Sequence, residues 1–168
     1  LVRQAANNQE LSEAMAAFLF DPQQALDQKL ALINALGWQF EGLNNTVKYQ
    51  RYLEQQHQKS VYDMQPLEIA ATDQLILGYL MLMDDYFHPE KSLALLRRGA
   101  RRLWQSQSAQ IILSLAESQD YLNDFEAWCQ IWMISESALK GKGLKPDMRP
   151  EAIAIIQEYL SLYQEYCS

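Results

Sequence analysis

The chain predicts an all-α protein of seven or eight helices, paired antiparallel. Three observations carry this. Apolar residues recur at spacings of three and four throughout, and no run of five or more alternates apolar with polar. The helix formers Ala, Leu, Gln, Glu and Met dominate, and β-branched residues are few. The six glycines and five prolines are confined to a few places, which leaves room for about six or seven interruptions.

Each element has a local reason. A first helix is expected over 2–19. In "DPQQ", Asp21 as N-cap and Pro22 at the first helical position open a second, which runs to about Phe40 with Leu26, Leu30, Ile33 and Phe40 on one stripe. Glycine and paired asparagines in "EGLNN" (41–45) end it. A third helix covers 46–58, and "KSVYDMQP" connects it onward. Pro66 opens a fourth that ends near Met83, and Pro89 opens a fifth through Trp104. A sixth is expected over 108–118 and a seventh over 123–139. "KGKGLKPD" (140–147) reads as a flexible loop. The last helix runs from "RPEA" to Tyr166, with Ile153, Ile156, Leu160 and Tyr163 inward and Glu151, Glu158 and Glu165 outward, as a cap.

The best internal signal is a repeat. Sliding the chain by 35 residues lays "LILGYLMLMDDYFHPEKSLALL" (75–96) on "QIILSLAESQDYLNDFEAWCQI" (110–131). Apolar positions meet at helical spacing, and Asp85-Tyr86 meets Asp120-Tyr121. A helix, an Asp-Tyr turn and a second helix with an early small residue resemble tetratricopeptide and SEL1-like repeats, over residues 75–135 only. Ser92 stands where the usual alanine of the second helix would be. The resemblance implies a short, irregular helical-repeat stack that binds ligands along a concave face; a helical bundle is the alternative. The 168 residues are read as one domain, with possible sub-units 1–60, 66–140 and 148–168. Stacked pairs bury faces that none can bury alone, and Leu93, Leu96, Leu103, Trp104, Leu115, Trp128, Ile131 and Trp132 are expected in that core.

Net charge is −7, which argues against nucleic-acid binding. It is uneven: residues 1–90 hold 5 basic and 12 acidic residues, whereas 91–110 hold five basic residues and no acid. The longest apolar run, 75–83, is too short to span a bilayer. Leu1 is not an initiator methionine, so a preceding leader or anchor is left open. Cys129 and Cys167 stand 38 apart and form neither a disulfide framework nor a CxxC site. Cys129 is expected to be a buried small apolar residue and Cys167 to be exposed; a cytoplasmic location is favoured over a periplasmic or exported one.

Two constellations invite chemistry. Glu54 and His57, and Asp85 and His88, each have the i,i+3 spacing that places two metal ligands on one helix face. Pro89 pushes His88 out of helical geometry, so the second pair reads as a turn; His88 occupies the place of Asn123 in the repeat. The metal reading, on Glu54, His57, Asp85 and His88, is therefore the alternative, and no cofactor is expected. The second constellation is Arg97, Arg98, Arg101 and Arg102, one basic stripe opposite Leu96, Leu103 and Trp104. Its plain reading is a solvated face. Its functional reading is a docking strip for an acidic peptide or a phosphate, extended by Lys142 and Lys145. Tyr159 and Tyr163, with Tyr49, Tyr52 and Tyr166, offer an apolar groove. No nucleophile elbow, phosphate loop or HExxH motif occurs. The expected function is a non-enzymatic protein-binding module with a groove between helix pairs. A ligand-sensing regulatory domain is a further alternative.

Overall fold

A computed structural model describes residues 1–38, 44–65 and 67–167. Among these the chain is all-α, with nine α-helices and no strand beyond one isolated bridge between Ser106 and Lys145. They are α1 (Val2–Asn8), α2 (Glu13–Phe20), α3 (Leu26–Ala35), α4 (Asn45–His57), α5 (Ala71–Asp84), α6 (Glu90–Arg102), α7 (Gln107–Glu117), α8 (Trp128–Lys140) and α9 (Pro150–Gln164). None is long and apolar enough to cross a membrane.

From α4 onward each helix packs on the next, and α5 also rests on α3. The reason is α5 itself. Its sequence is apolar nearly all round, so every face must find a neighbour. Its packing against α6 is the closest. A Cβ on Gly78 would lie 2.8 Å from the Leu96 backbone nitrogen, and one on Gly99 2.7 Å from that of Leu75. Both glycines are contact points between backbones. One core runs from Ala5 through Ile76 and Leu96 to Ala116, and a smaller one, around Ile111, Ala138 and Met148, lies under α9.

Several expected boundaries move, each for a local reason. The first helix is two. Gln9 turns left-handed at φ 55°, the buried Asn45 side chain receives the Leu11 N–H and donates to the Gln9 carbonyl, and Ser12 caps α2. Asp21 caps a turn instead of a helix by accepting from Gln23 N at 2.9 Å, and α3 starts five residues later. The helix expected from 123 begins at Trp128, after Asp124 has capped a short 3-10 turn. Residues 140–147 are not a free loop. Lys145 N donates to Gln105 O at 2.6 Å, and Asp147 accepts from Ser108 N at 2.8 Å, which moors the segment to the start of α7. The expected helix end at Phe40, most of the "EGLNN" break and Pro66 lie outside the described residues.

The expected core needs one clear correction. Leu93, Leu96 and Ile131 are buried, and Leu103, Leu115, Trp128 and Trp132 are partly so. Trp104 is 63% exposed. α6 stops at Arg102, so the helical phase that would have carried Trp104 inward ends before it. The cysteines need another: Cys129, half-buried, is bonded to Cys167, which is exposed. α8 and α9 run antiparallel, so the start of one meets the residue just past the end of the other.

Candidate binding cleft

An apolar cleft lies between α9 and the layer made by α3, α5 and α7. Its volume is about 330 Å³. It continues into a second hollow of about 240 Å³ toward Met148, sharing Asn34, Tyr79, Leu115, Ile155 and Ile156. This is the size range and lining of a ligand site.

The lining follows a rule. α5 contributes Tyr79, Leu82 and Met83, and Tyr86 follows two residues past its end. α7 and the turn after it contribute Leu115, Ser118, Gln119 and Leu122. Both sets have the spacing i, i+3, i+4, i+7 of a helix face, though each helix ends before its set does, at Asp84 and at Glu117. They stand 36 residues apart, not 35, so Tyr86 corresponds to Leu122 and the two Asp-Tyr pairs are out of step by one. α9 closes the cleft with Ile155, Ile156, Tyr159 and Leu160.

Polar groups are sparse and neutral. Tyr79 donates to Asn34 Oδ1 at 3.4 Å, and Gln119 Nε2 donates to the Tyr86 hydroxyl at 2.8 Å. Gln119 Oε1 is buried without a partner. The hydroxyls of Tyr159 and Tyr163 lie 3.0 Å apart. Burial pushes the pKa of Tyr79, Tyr86 and Tyr159 up, so these groups stay protonated; for Tyr159 the bond to Tyr163 adds to the rise. Among the described residues, the larger hollow is lined by no Asp, Glu, Lys, Arg, His or Cys. Aromatic rings gather at its mouth: Trp38 stacks on Tyr86 at 5.3 Å, and Trp128 meets Tyr163 and Tyr166 edge-on at 5.5 and 4.8 Å.

The expected site residues are distributed differently. Tyr159 lines the cleft and Tyr163 supports it, whereas no arginine of α6 lines it. Arg97 pairs with Glu117 at 2.8 Å, Arg102 donates to the Ile69 carbonyl at 2.7 Å, and Arg98 and Arg101 face solvent. Lys142 borders a separate open hollow with Trp104, and Lys145 is held through its backbone. Tyr49 is a core residue that donates to Asp73 at 2.7 Å, and Tyr52 packs edge-on against Phe20.

The four residues of the alternative metal reading, Glu54, His57, Asp85 and His88, do not converge. Asp84, at the end of α5, accepts from Asn45 and Thr46 N–H at the start of α4. His57 ends α4, so it stands about 18 Å further along that helix than the end where Asp85 and His88 lie. Glu54 accepts from Val61 N at 3.1 Å and Ser60 Oγ at 3.2 Å, closing the turn after α4. His57 packs edge-on against Phe20. His88 Nδ1 and Asp85 Oδ1 form an exposed pair at 2.8 Å. Among the described residues no group of three or more His, Cys, Asp or Glu is placed to hold a metal.

The residues missed from sequence are Tyr79, Leu82, Met83, Leu115 and Gln119. Tyr79, Leu82 and Met83 lie in "LILGYLMLMDDY", a helix apolar on every face, where core and cleft lining read alike in the sequence because the same side chains serve both. No family model, no curated protein and no solved structure is matched by this chain.

Proposed function

We propose that this chain is a non-enzymatic binding domain that takes a partner's apolar segment in the cleft beneath α9. The observation that carries the reading is the repeated i, i+3, i+4, i+7 spacing of lining residues, over α5 and α7 with the turns that follow them, turned toward one cleft. It supports a short helical-repeat stack whose first helices line the binding surface. Among the described residues the larger hollow has an uncharged lining, which favours recognition over proton transfer. Asn34, Gln119 and the tyrosine hydroxyls suit the backbone amides of a peptide laid among apolar side chains. The arginine stripe contributes through Arg98 and Arg101 only, outside the cleft, and the expectation of an acidic partner rests on those two. The disulfide supports an oxidising compartment in place of the cytoplasm, since thiols are kept reduced in the cytosol.

A photo-crosslinking residue at Ile155, which is 69% exposed on the cleft wall, tests the reading against one at Arg98. A discrete adduct from position 155 that disappears in a Leu82→Arg background is expected. Adducts from position 98 alone would sink the cleft and restore the arginine stripe.

A further inference from the structure

We propose that the Cys129–Cys167 disulfide is a redox latch on α9, holding the movable wall of the cleft in place and releasing it on reduction. This rests on the cleft being the binding site. α9 is the least embedded long helix: Leu160 is its only buried residue, while Ile155, Tyr159 and Leu162 lie exposed. Its backbone packs along α8. Two fastenings hold its ends. At the start, Arg149 Nε and its backbone N–H approach Asp27 Oδ2 at 3.4 and 3.3 Å. Past the end, Cys167 is bonded to Cys129 at the start of α8, with the two Cα atoms 4.9 Å apart. The wall residues Ile155, Ile156, Tyr159 and Leu160 all lie between these two points. The disulfide also sets the aromatic register, because Trp128, next to Cys129, packs against Tyr163 and Tyr166 near the far end of α9.

The latch is open to chemistry, because Cys167 is exposed and Cys129 is half-buried. A dithiol reductant supplies the step. One thiolate attacks a sulfur of the bond, the other cysteine leaves as thiolate, and the second reductant thiol resolves the mixed disulfide. Two electrons and two protons pass from the dithiol to the chain, which gains two thiols while the reductant closes its own disulfide. α9 is then held by the Asp27–Arg149 contacts, the Trp128 packing on Tyr163 and Tyr166, and a narrow apolar seam.

The test compares the oxidised chain, the chain reduced with dithiothreitol and alkylated, and Cys167→Ser. Deuterium uptake is followed over 150–164 and over α5, and Nile red reports the cleft. Release predicts exchange over α9 faster by about tenfold or more, with α5 still protected. Nile red affinity should fall by about fivefold or more, because the binding-competent population falls. Unchanged protection of α9 on reduction overturns the latch. So does simultaneous loss of protection from α5 and α9, which makes the disulfide a staple of the whole fold. If Nile red does not bind the oxidised chain, the cleft reading fails, and exchange over α9 alone decides the latch.

Discussion

Gly99 shows how far a single residue can run against propensity. Inside an α-helix, alanine is favoured over glycine by about 1 kcal/mol. Here a Cβ would meet the backbone of Leu75 at 2.7 to 3.0 Å and the Ala71 carbonyl at 3.1 Å, and backbone does not yield as a side-chain tip does. Gly99→Ala should therefore destabilise the chain by about 1–3 kcal/mol net, read as a lower urea midpoint; a stabilised variant would show that α5 and α6 are free to part. His88 makes the opposite case. Its hydrogen bond to Asp85, then the charge of Asp85, raise its pKa above 6.5. A histidine raised in the fold contributes stability that is full below its unfolded pKa and is lost as pH rises through the folded value. Because the pair is exposed, that contribution is small. NMR titration should place His88 above 6.5 and return it toward the ordinary value in Asp85→Asn, while His88→Asn should leave the melting temperature unchanged. A His88 that titrates identically in Asp85→Asn would contradict the pairing. The turn reading of His88 came from its place before Pro89; its partner Asp85 was visible too, but as a metal ligand, because spacing alone does not say whether two side chains meet each other or a third body.

Elements carried their own start signals less well where a distant side chain made the break. Nothing local in "NNQELS" separates α1 from α2 as firmly as Asn45, more than thirty residues away, which bonds to Leu11 N at 2.8 Å and the Gln9 carbonyl at 3.1 Å. Asn45 in turn is held at the start of α4 by Asp84. Asn45→Ala should leave Leu11 N–H unpaired in a buried site and cost about 1–3 kcal/mol. Deuterium exchange should rise at 9–12 first; uniform exchange across the chain would mean that the staple is not local. Where start signals were local, at Pro89 and at "RPEA", the helices begin within a residue of expectation. At the other end, the 140–147 segment looked free because glycines and lysines read as solvent-loving. Its moorings are Lys145 N and O and the Asp147 carboxylate, whose partners no composition reveals.

At the scale of the molecule, the all-α class was legible because three-and-four periodicity survives any arrangement of the helices. The cleft was not, because it depends on which helices share a wall. The disulfide was not, because it depends on α8 and α9 being antiparallel neighbours, so that Cys129 at one start meets Cys167 past the other end. That geometry also limits what the disulfide does for stability. Closing a loop of 38 residues restricts the unfolded chain by about 4 kcal/mol on the loop-entropy account. If α9 comes free on reduction, the native chain regains part of the same freedom, and the net loss must be smaller. The detached helix has then already exposed its seam of Ala152, Ile153 and Ile156, so global unfolding uncovers less surface. Urea melts of the oxidised and reduced chains should accordingly differ in slope as well as midpoint. The reduced chain should show a lower m-value, since m follows the area exposed, and a stability loss well short of the loop figure. A full loss with an unchanged slope would mean that α9 stays docked without its disulfide, and that its apolar seam and the Asp27–Arg149 pair suffice to hold the wall.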